Sequence, residues 1–505
     1  MEKGQRVELI IEDMSAEGRG IGKTEEGYAV FVAGTVPGDR VLVELTKVKK
    51  HYAFGKLIEM IEESADRVEV ACPYQKICGG CAYGTLSYEA QLALKEKQVR
   101  DKLTRLAGIE NPCLRPIIGG WEAGGACEDE NRQVPYFYRN KAVMAVSTGG
   151  LITEKGGIVK PVHEPRIGFY KAGTHEVVDC KSCLLQSEPA MAAAEALRQF
   201  MVEDHITSYD PRWDKGLMRH LIVRTAAGTG EVMVILVVNG KSIPNAQKLV
   251  GMLDDAIYNV PVYEEGPFAG VEWNLESVII NVNDSKRLDG PVMGKECITV
   301  AGKPTITEKV GGLEFEISPL SFYQVNREQM VRLYSKALEY ASLKGEETVL
   351  DLYCGVGTIG LFAAAEMNRK AAGGKVIGIE SVKSAILDAN RNATINHIVN
   401  ARYICGKAEE VLPRLVNGDK SEELHIEHAD VAILDPPRAG CHEALLEAVV
   451  TAAPGRIVYV SCDPATLARD IKWLAARGYE FVEATPCDMF PHTSSVETVA
   501  LLKRI

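Results

Sequence analysis

The feature that most constrains this 505-residue chain is a regular alternation that begins at Glu347. Apolar runs at Thr348–Tyr353, Lys375–Glu380, Arg402–Cys405, Asp430–Leu434 and Arg456–Ser461 are followed by helical stretches starting at Thr358, Lys383, Ala408, Glu443 and Pro464. Two more apolar runs, Phe481–Thr485 and Ser495–Leu502, close the series. Strands separated by helices must run parallel, with the helices covering both faces, so seven strands predict a doubly wound α/β sheet. Ligands of such sheets bind outside the carboxyl ends of the strands, and the chain's chemically suggestive residues cluster at those ends.

The first strand runs into Asp351-Leu-Tyr-Cys-Gly-Val-Gly-Thr-Ile-Gly360. Its glycines permit a tight turn and leave room for a ligand to approach the backbone. Glu380, closing the next strand, is placed to accept hydrogen bonds from two ribose hydroxyls. A glycine-rich turn alone would also suit a dinucleotide. S-adenosylmethionine is favoured because Asp351 lies within the strand end, the glycines do not follow the G-x-G-x-x-G frame, and a second acidic motif, Asp435-Pro-Pro-Arg438, ends the fourth strand. This motif is similar to the Asp-Pro-Pro-aromatic motif of methyltransferases acting on exocyclic amino groups. With Arg438 in place of the base-stacking ring, a different target atom is expected.

The fifth strand delivers Cys462, in Val-Ser-Cys-Asp-Pro, to the ligand face. Carbon 5 of uracil is a poor nucleophile until a thiolate adds to carbon 6, and a base must afterwards remove the carbon-5 proton. Cys462 has the position for the first task. Glu497, in His492-Thr-Ser-Ser-Val-Glu-Thr498, stands at the entry to the last strand and suits the second.

The preceding sequence reads as two further domains. Residues 1–65 alternate apolar and polar positions between tight turns and predict a small closed β-barrel. Lys47, Lys49, Lys50, His51, Tyr52, Phe54 and Lys56 on its last strands would suit an RNA-binding face, and equally an edge strand guarded by lysines. Residues 66–316 predict a mainly antiparallel α+β domain with helices over Leu86–Leu106 and Glu188–Val202, the first with an apolar i, i+3, i+4 stripe. An acidic, glycine-rich surface loop is expected at residues 114–134. Residues 317–505 form the third domain. Thirteen cysteines without a secretion-type apolar start argue for a cytoplasmic protein with reduced or metal-bound thiols. No run is long enough to span a bilayer. The net charge of −12 opposes nucleic-acid binding, although a local basic strip can survive an acidic total. Cys72, Cys78 and Cys81, with Gly79 and Gly80 shaping the loop, give a metal-ligand signal completed by Cys180 or Cys183; four thiolates suit zinc or an iron–sulfur cluster.

Taken together, these motifs and Ser318-Pro-Leu-Ser-Phe-Tyr-Gln-Val-Asn326 resemble the 23S rRNA type of uracil-5 RNA methyltransferase, over nearly the whole chain. The resemblance implies an OB-like TRAM barrel, an iron–sulfur segment in the central domain, and a Rossmann-like methyltransferase domain. It implies S-adenosylmethionine contacts from Gln324, Tyr353, Glu380 and Asp435, with Cys462 as nucleophile and Glu497 as base. It implies a [4Fe–4S] cluster on Cys72, Cys78, Cys81 and Cys183, with Cys180 spare and zinc the rival metal. The substrate uridine would be flipped from its RNA fold. Tyr136, Arg139, Asn140 and Lys141, and the Arg219-His220 pair, match family positions that face RNA or open strands. The expectation is a monomer acting on 23S rRNA. Methylation of the tRNA T-loop is the rival within the family. An inactive RNA-binding assembly factor is the rival outside it, and such a module would need none of Cys462, Glu497, Gln324 and Asp435.

Overall fold

The computed structural model describes residues 1–120, 135–147, 151–154, 157–161, 164–210, 214–264, 268–287, 290–371, 373–418 and 424–505, with backbone alone for 151–161. The acidic loop expected at 114–134 falls from residue 121 onward outside the described residues.

Strands Arg6–Met14, Arg19–Lys23, Ala29–Ala33, Arg40–Val48 and Tyr52–Glu62 close into a barrel. Every second residue points inward, and Leu9, Ile11, Val30, Val32, Val41, Val43, Leu45 and Ala53 fill it. Gly55 is required there, because a Cβ would stand 2.1 Å from a methyl of Val43.

The central sheet has seven strands in the order Val177–Asp179, Arg166–Tyr170, Lys141–Ser147, Met218–Ala226, Glu231–Val238, Asn274–Val282 and Glu296–Gly302. All neighbours are antiparallel except Glu231–Val238 and Asn274–Val282. A parallel pair needs a crossover, and helix Ala246–Tyr258 supplies it. That helix is a correction to the sequence reading, which expected Glu188–Val202 to be the one helix here. Its fully buried stripe, Leu249, Leu253 and Ile257, is only three residues long, and Gly251 on the exposed face lowers the helix propensity of the segment.

The C-terminal sheet runs in the order Ala401–Cys405, Lys375–Glu380, Thr348–Leu352, Val431–Leu434, Arg456–Ser461, Glu497–Arg504, Tyr479–Cys487. The first five are parallel and Glu497–Arg504 is antiparallel to both of its neighbours. The order reverses beside Thr348–Leu352, which puts the ligand crevice at its carboxyl end. Helix Arg327–Ala341, unforeseen in the sequence, packs Met330, Leu333, Tyr334 and Ala337 onto this sheet.

The helix expected over Leu86–Leu106 is α-helical over Tyr88–Lys102 and widens to a π-turn over Leu103–Ala107. Its buried face is not the expected apolar stripe. It comprises Tyr88, Gln91, Lys95 and Val99. The polar members face the chain between Cys487 and Glu497, which joins the last two strands. Among the described residues no helix is long and apolar enough to cross a membrane.

Candidate active site

Thr348–Leu352 ends in a tight turn with Tyr353 at φ +65°, Gly355 at +55° and Gly357 at +79°. Gly355 is the position where freedom from a side chain matters: nothing lies within 4 Å of where its Cβ would be, so a side chain would enter the cleft. Its N–H donates to Glu380 Oε2 at 3.2 Å, while Glu380 Oε1 accepts from Val382 N–H at 2.8 Å. Glu380 is thereby fixed at the end of its strand. Tyr353 and Glu380 line a cavity of about 930 Å³ together with Lys407, Pro437 and Trp473. Gln324, Asp435 and Cys462 are not on that wall, so only two of the four expected cofactor residues, Tyr353 and Glu380, line this cavity.

Beside the turn, buried acidic groups gather. The Asp351 carboxylate is buried with no side-chain partner, and only the Gly360 N–H favours its charged form. Burial and the nearby Asp435 push the Asp351 carboxyl up to about 7. Burial alone lifts Asp435 to about 7. Glu497, 4% exposed, is pushed up to about 8 by burial and by Asp435, while Arg438 opposes the rise. The buried Asp351 and its acidic neighbours fit a cationic ligand such as a sulfonium, whose charge would relieve them.

Cys462 is half-buried beyond the end of Arg456–Ser461. The next residue, Asp463, caps helix Pro464–Ala475 by accepting from Ala465 N–H at 2.8 Å and Thr466 N–H at 3.1 Å. The thiol is held between a strand end and a capped helix. Burial, Glu497 and Asp435 raise it to about 11, and Arg438 acts in the opposite sense. Cys462, Glu497, Asp435 and Arg438 therefore form one interacting group. Cys354, the other thiol near the turn, is buried and raised well above its ordinary value by burial.

Gln324 is buried on the segment after Ser318. Asn140 Nδ2 donates to its carbonyl at 2.9 Å, and Tyr334 hydrogen-bonds its side chain. Tyr334 also faces Asp435 and Asp351. Sequence reasoning missed it because it lies on the unforeseen helix and reads as one more apolar position.

The expected metal ligands Cys72, Cys78, Cys81 and Cys183 line one cavity of about 220 Å³, along with Cys180, Tyr136, Arg139, Lys141 and His492. Cys180 is thus a fifth thiol on the same wall. A hydrogen bond from Cys180 draws Cys78 down to about 6. Burial and the crowding of Cys183, Cys78 and Cys72 push Cys81 up to about 12. Among the described residues no three Cys, His, Asp or Glu side chains converge closely enough to hold a metal ion. The thiols share a cavity without being drawn together around a common centre.

Comparison with known proteins agrees with this architecture. The model of the tRNA (uracil-5-)-methyltransferase family matches residues 300–505, and that of the TRAM domain residues 1–58. An RNA methyltransferase of Bacillus cereus is 38% identical over 100% of this chain and 98% of its own length. One from Caldanaerobacter subterraneus is 40% identical over 99% of each chain. The crystal structure of Pyrococcus abyssi tRNA (uracil-54, C5)-methyltransferase with S-adenosyl-L-homocysteine aligns with a TM-score of 0.69 at 27% identity, covering 98% of this chain and 99% of that one. The chain belongs to the RNA uracil-5-methyltransferase family and carries its TRAM domain.

Proposed function

We propose that this enzyme, a methyltransferase of the S-adenosylmethionine-dependent class, methylates carbon 5 of a uridine in 23S rRNA through a covalent bond to Cys462. The observation that carries the reading is the mutual proximity of Cys462, Glu497, Asp435 and Arg438 at the strand ends. When bound, the cofactor supplies an electrophilic methyl group. Glu380 and Tyr353 would hold its nucleoside, and Asp435, Asp351 and Gln324 its charged end. Cys462 sulfur adds to carbon 6, carbon 5 gains the methyl group, and Glu497 takes the carbon-5 proton as the sulfur–carbon bond breaks. The tRNA T-loop is a second reading, and the Pyrococcus abyssi tRNA enzyme supports it. That enzyme aligns over 99% of its own length and 98% of this chain, so the overall architecture does not by itself select rRNA. Mapping 5-methyluridine in rRNA and tRNA from cells with and without the gene tests both. A loss confined to the tRNA T-loop would replace the rRNA reading.

A pH dependence follows from the carboxyls. Asp351 and Asp435 are neutral below about pH 7 and anionic above it. A cation binds the anionic form, so S-adenosylmethionine affinity should rise as pH increases through 7. Binding of S-adenosylhomocysteine, which keeps the amino-acid zwitterion but lacks the sulfonium charge, should change less. Calorimetric titration of both between pH 5.5 and 8.5 checks this, and parallel curves would remove the two aspartates from charge recognition.

The shared thiol cavity supports a [4Fe–4S] cluster on Cys72, Cys78, Cys81 and Cys183. Protein purified without oxygen should be brown and contain iron. Cys183→Ser should lose the metal and Cys180→Ser should keep it. A colourless protein with stoichiometric zinc would overturn the cluster assignment.

A further inference from the structure

Glu497 begins the last strand, and the segment that delivers it, residues 488–496, is gripped from both sides. Helix Tyr88–Lys102 holds one side. Lys95 Nζ lies 2.5 Å from Asp488 Oδ1 and donates to the Phe490 carbonyl at 3.0 Å, and Tyr88 Oη donates to Asp488 Oδ2 at 2.9 Å. Gln91 Oε1 accepts from the His492 N–H at 2.8 Å. The wall of the cysteine cavity holds the other side. Tyr136 stacks on the His492 ring with centroids 4.8 Å apart and planes 5° from parallel, and Tyr83 N–H donates to the His492 carbonyl at 2.9 Å. Tyr138 Oη donates to the Pro491 carbonyl at 3.0 Å. His492 itself sits at φ +66°, a conformation that a non-glycine residue keeps only where its surroundings impose it.

The geometry points to His492 as a positioning residue for Glu497. We infer that its stack on Tyr136 and its clamp by Gln91 set where the Glu497 carboxylate stands, and so link the wall of the cysteine cavity to the proton-removal step. The inference rests on the base role proposed for Glu497. Attack by Cys462 and methyl transfer do not require Glu497. Slack in this segment therefore delays only the final elimination, in which Glu497 takes the carbon-5 proton and the sulfur–carbon bond breaks to restore the carbon 5–carbon 6 double bond. A displacement of about 1 Å at a reacting group costs roughly 100-fold in rate.

The test uses the full-length protein, an unmodified uridine-containing RNA substrate and S-adenosylmethionine, with the methylated enzyme–RNA adduct followed on denaturing gels. Glu497→Gln sets the reference and should accumulate adduct. Tyr136→Leu and Gln91→Leu, each removing one hold on His492, should also accumulate adduct, with single-turnover methyl transfer near the parent rate and product release slowed roughly 100-fold. Tyr136→Phe keeps the stack and should accumulate far less adduct than Tyr136→Leu. Trapping by Glu497→Gln without adduct in either leucine variant overturns the positioning role and leaves the base intact. Ordinary turnover by Glu497→Gln removes the base, and the positioning role with it.

Discussion

Cys462→Ala is expected to lower methyl transfer by at least about 10⁴-fold, because removing the nucleophile of a covalent mechanism leaves only binding and orientation. With RNA carrying 5-fluorouridine, the parent protein should form a denaturation-resistant, methylated adduct in the presence of cofactor. Fluorine cannot leave as a cation, so Glu497 has no proton to remove and the sulfur–carbon bond persists. Cys462→Ala should form none. Cys354→Ala should still form it, since that thiol is buried inside the turn and strongly held in its protonated form. An adduct that survives Cys462→Ala and disappears with Cys354→Ala would reverse the assignment.

The second large effect is on stability. Lys95 and Asp488 have fully buried side chains and pair at 2.5 Å. Burial lowers the Lys95 pKa despite the attraction of Asp488, so desolvation outweighs the partner's pull. Removing one member leaves the other charge buried and unpaired. Lys95→Ala should therefore destabilise the fold by about 3–5 kcal/mol, read as a lower urea midpoint. Replacing both, with Lys95→Met and Asp488→Leu, should recover much of the loss, because an apolar pair of similar size carries no desolvation penalty. A single replacement with an unchanged midpoint would show that water reaches the pair.

Sequence periodicity located the methyltransferase sheet closely. Lys375–Glu380 and Arg456–Ser461 have the expected ends, since fully buried parallel strands are continuous apolar runs bounded by turns. Burial that is polar or brief hid part of the rest, although helix Arg327–Ala341, with its long apolar face, was missed as well. Helix Ala246–Tyr258 buries three residues in its stripe. Helix Tyr88–Lys102 was located, but its inward face could not be read, because a buried lysine and glutamine look like solvent-facing residues until their partners some 400 positions away are known.

At the site, the local order of residues determined which chemistry was available: a thiol at a strand end, Asp351 leading into a glycine turn with Glu380 closing the next strand, and three cysteines spaced around two glycines. Such features depend on neighbours in the chain, so a single sequence displays them. Only the tertiary structure decided what those groups face. Arg438 stands beside Cys462 and Glu497, Tyr334 joins Gln324 to Asp435, and a fifth thiol enters the cysteine cavity. Tyr136 and His492, from the central and C-terminal domains, are brought into one stack. The shifted acidities arise from burial and charges that converge through space, which no spacing along the chain encodes.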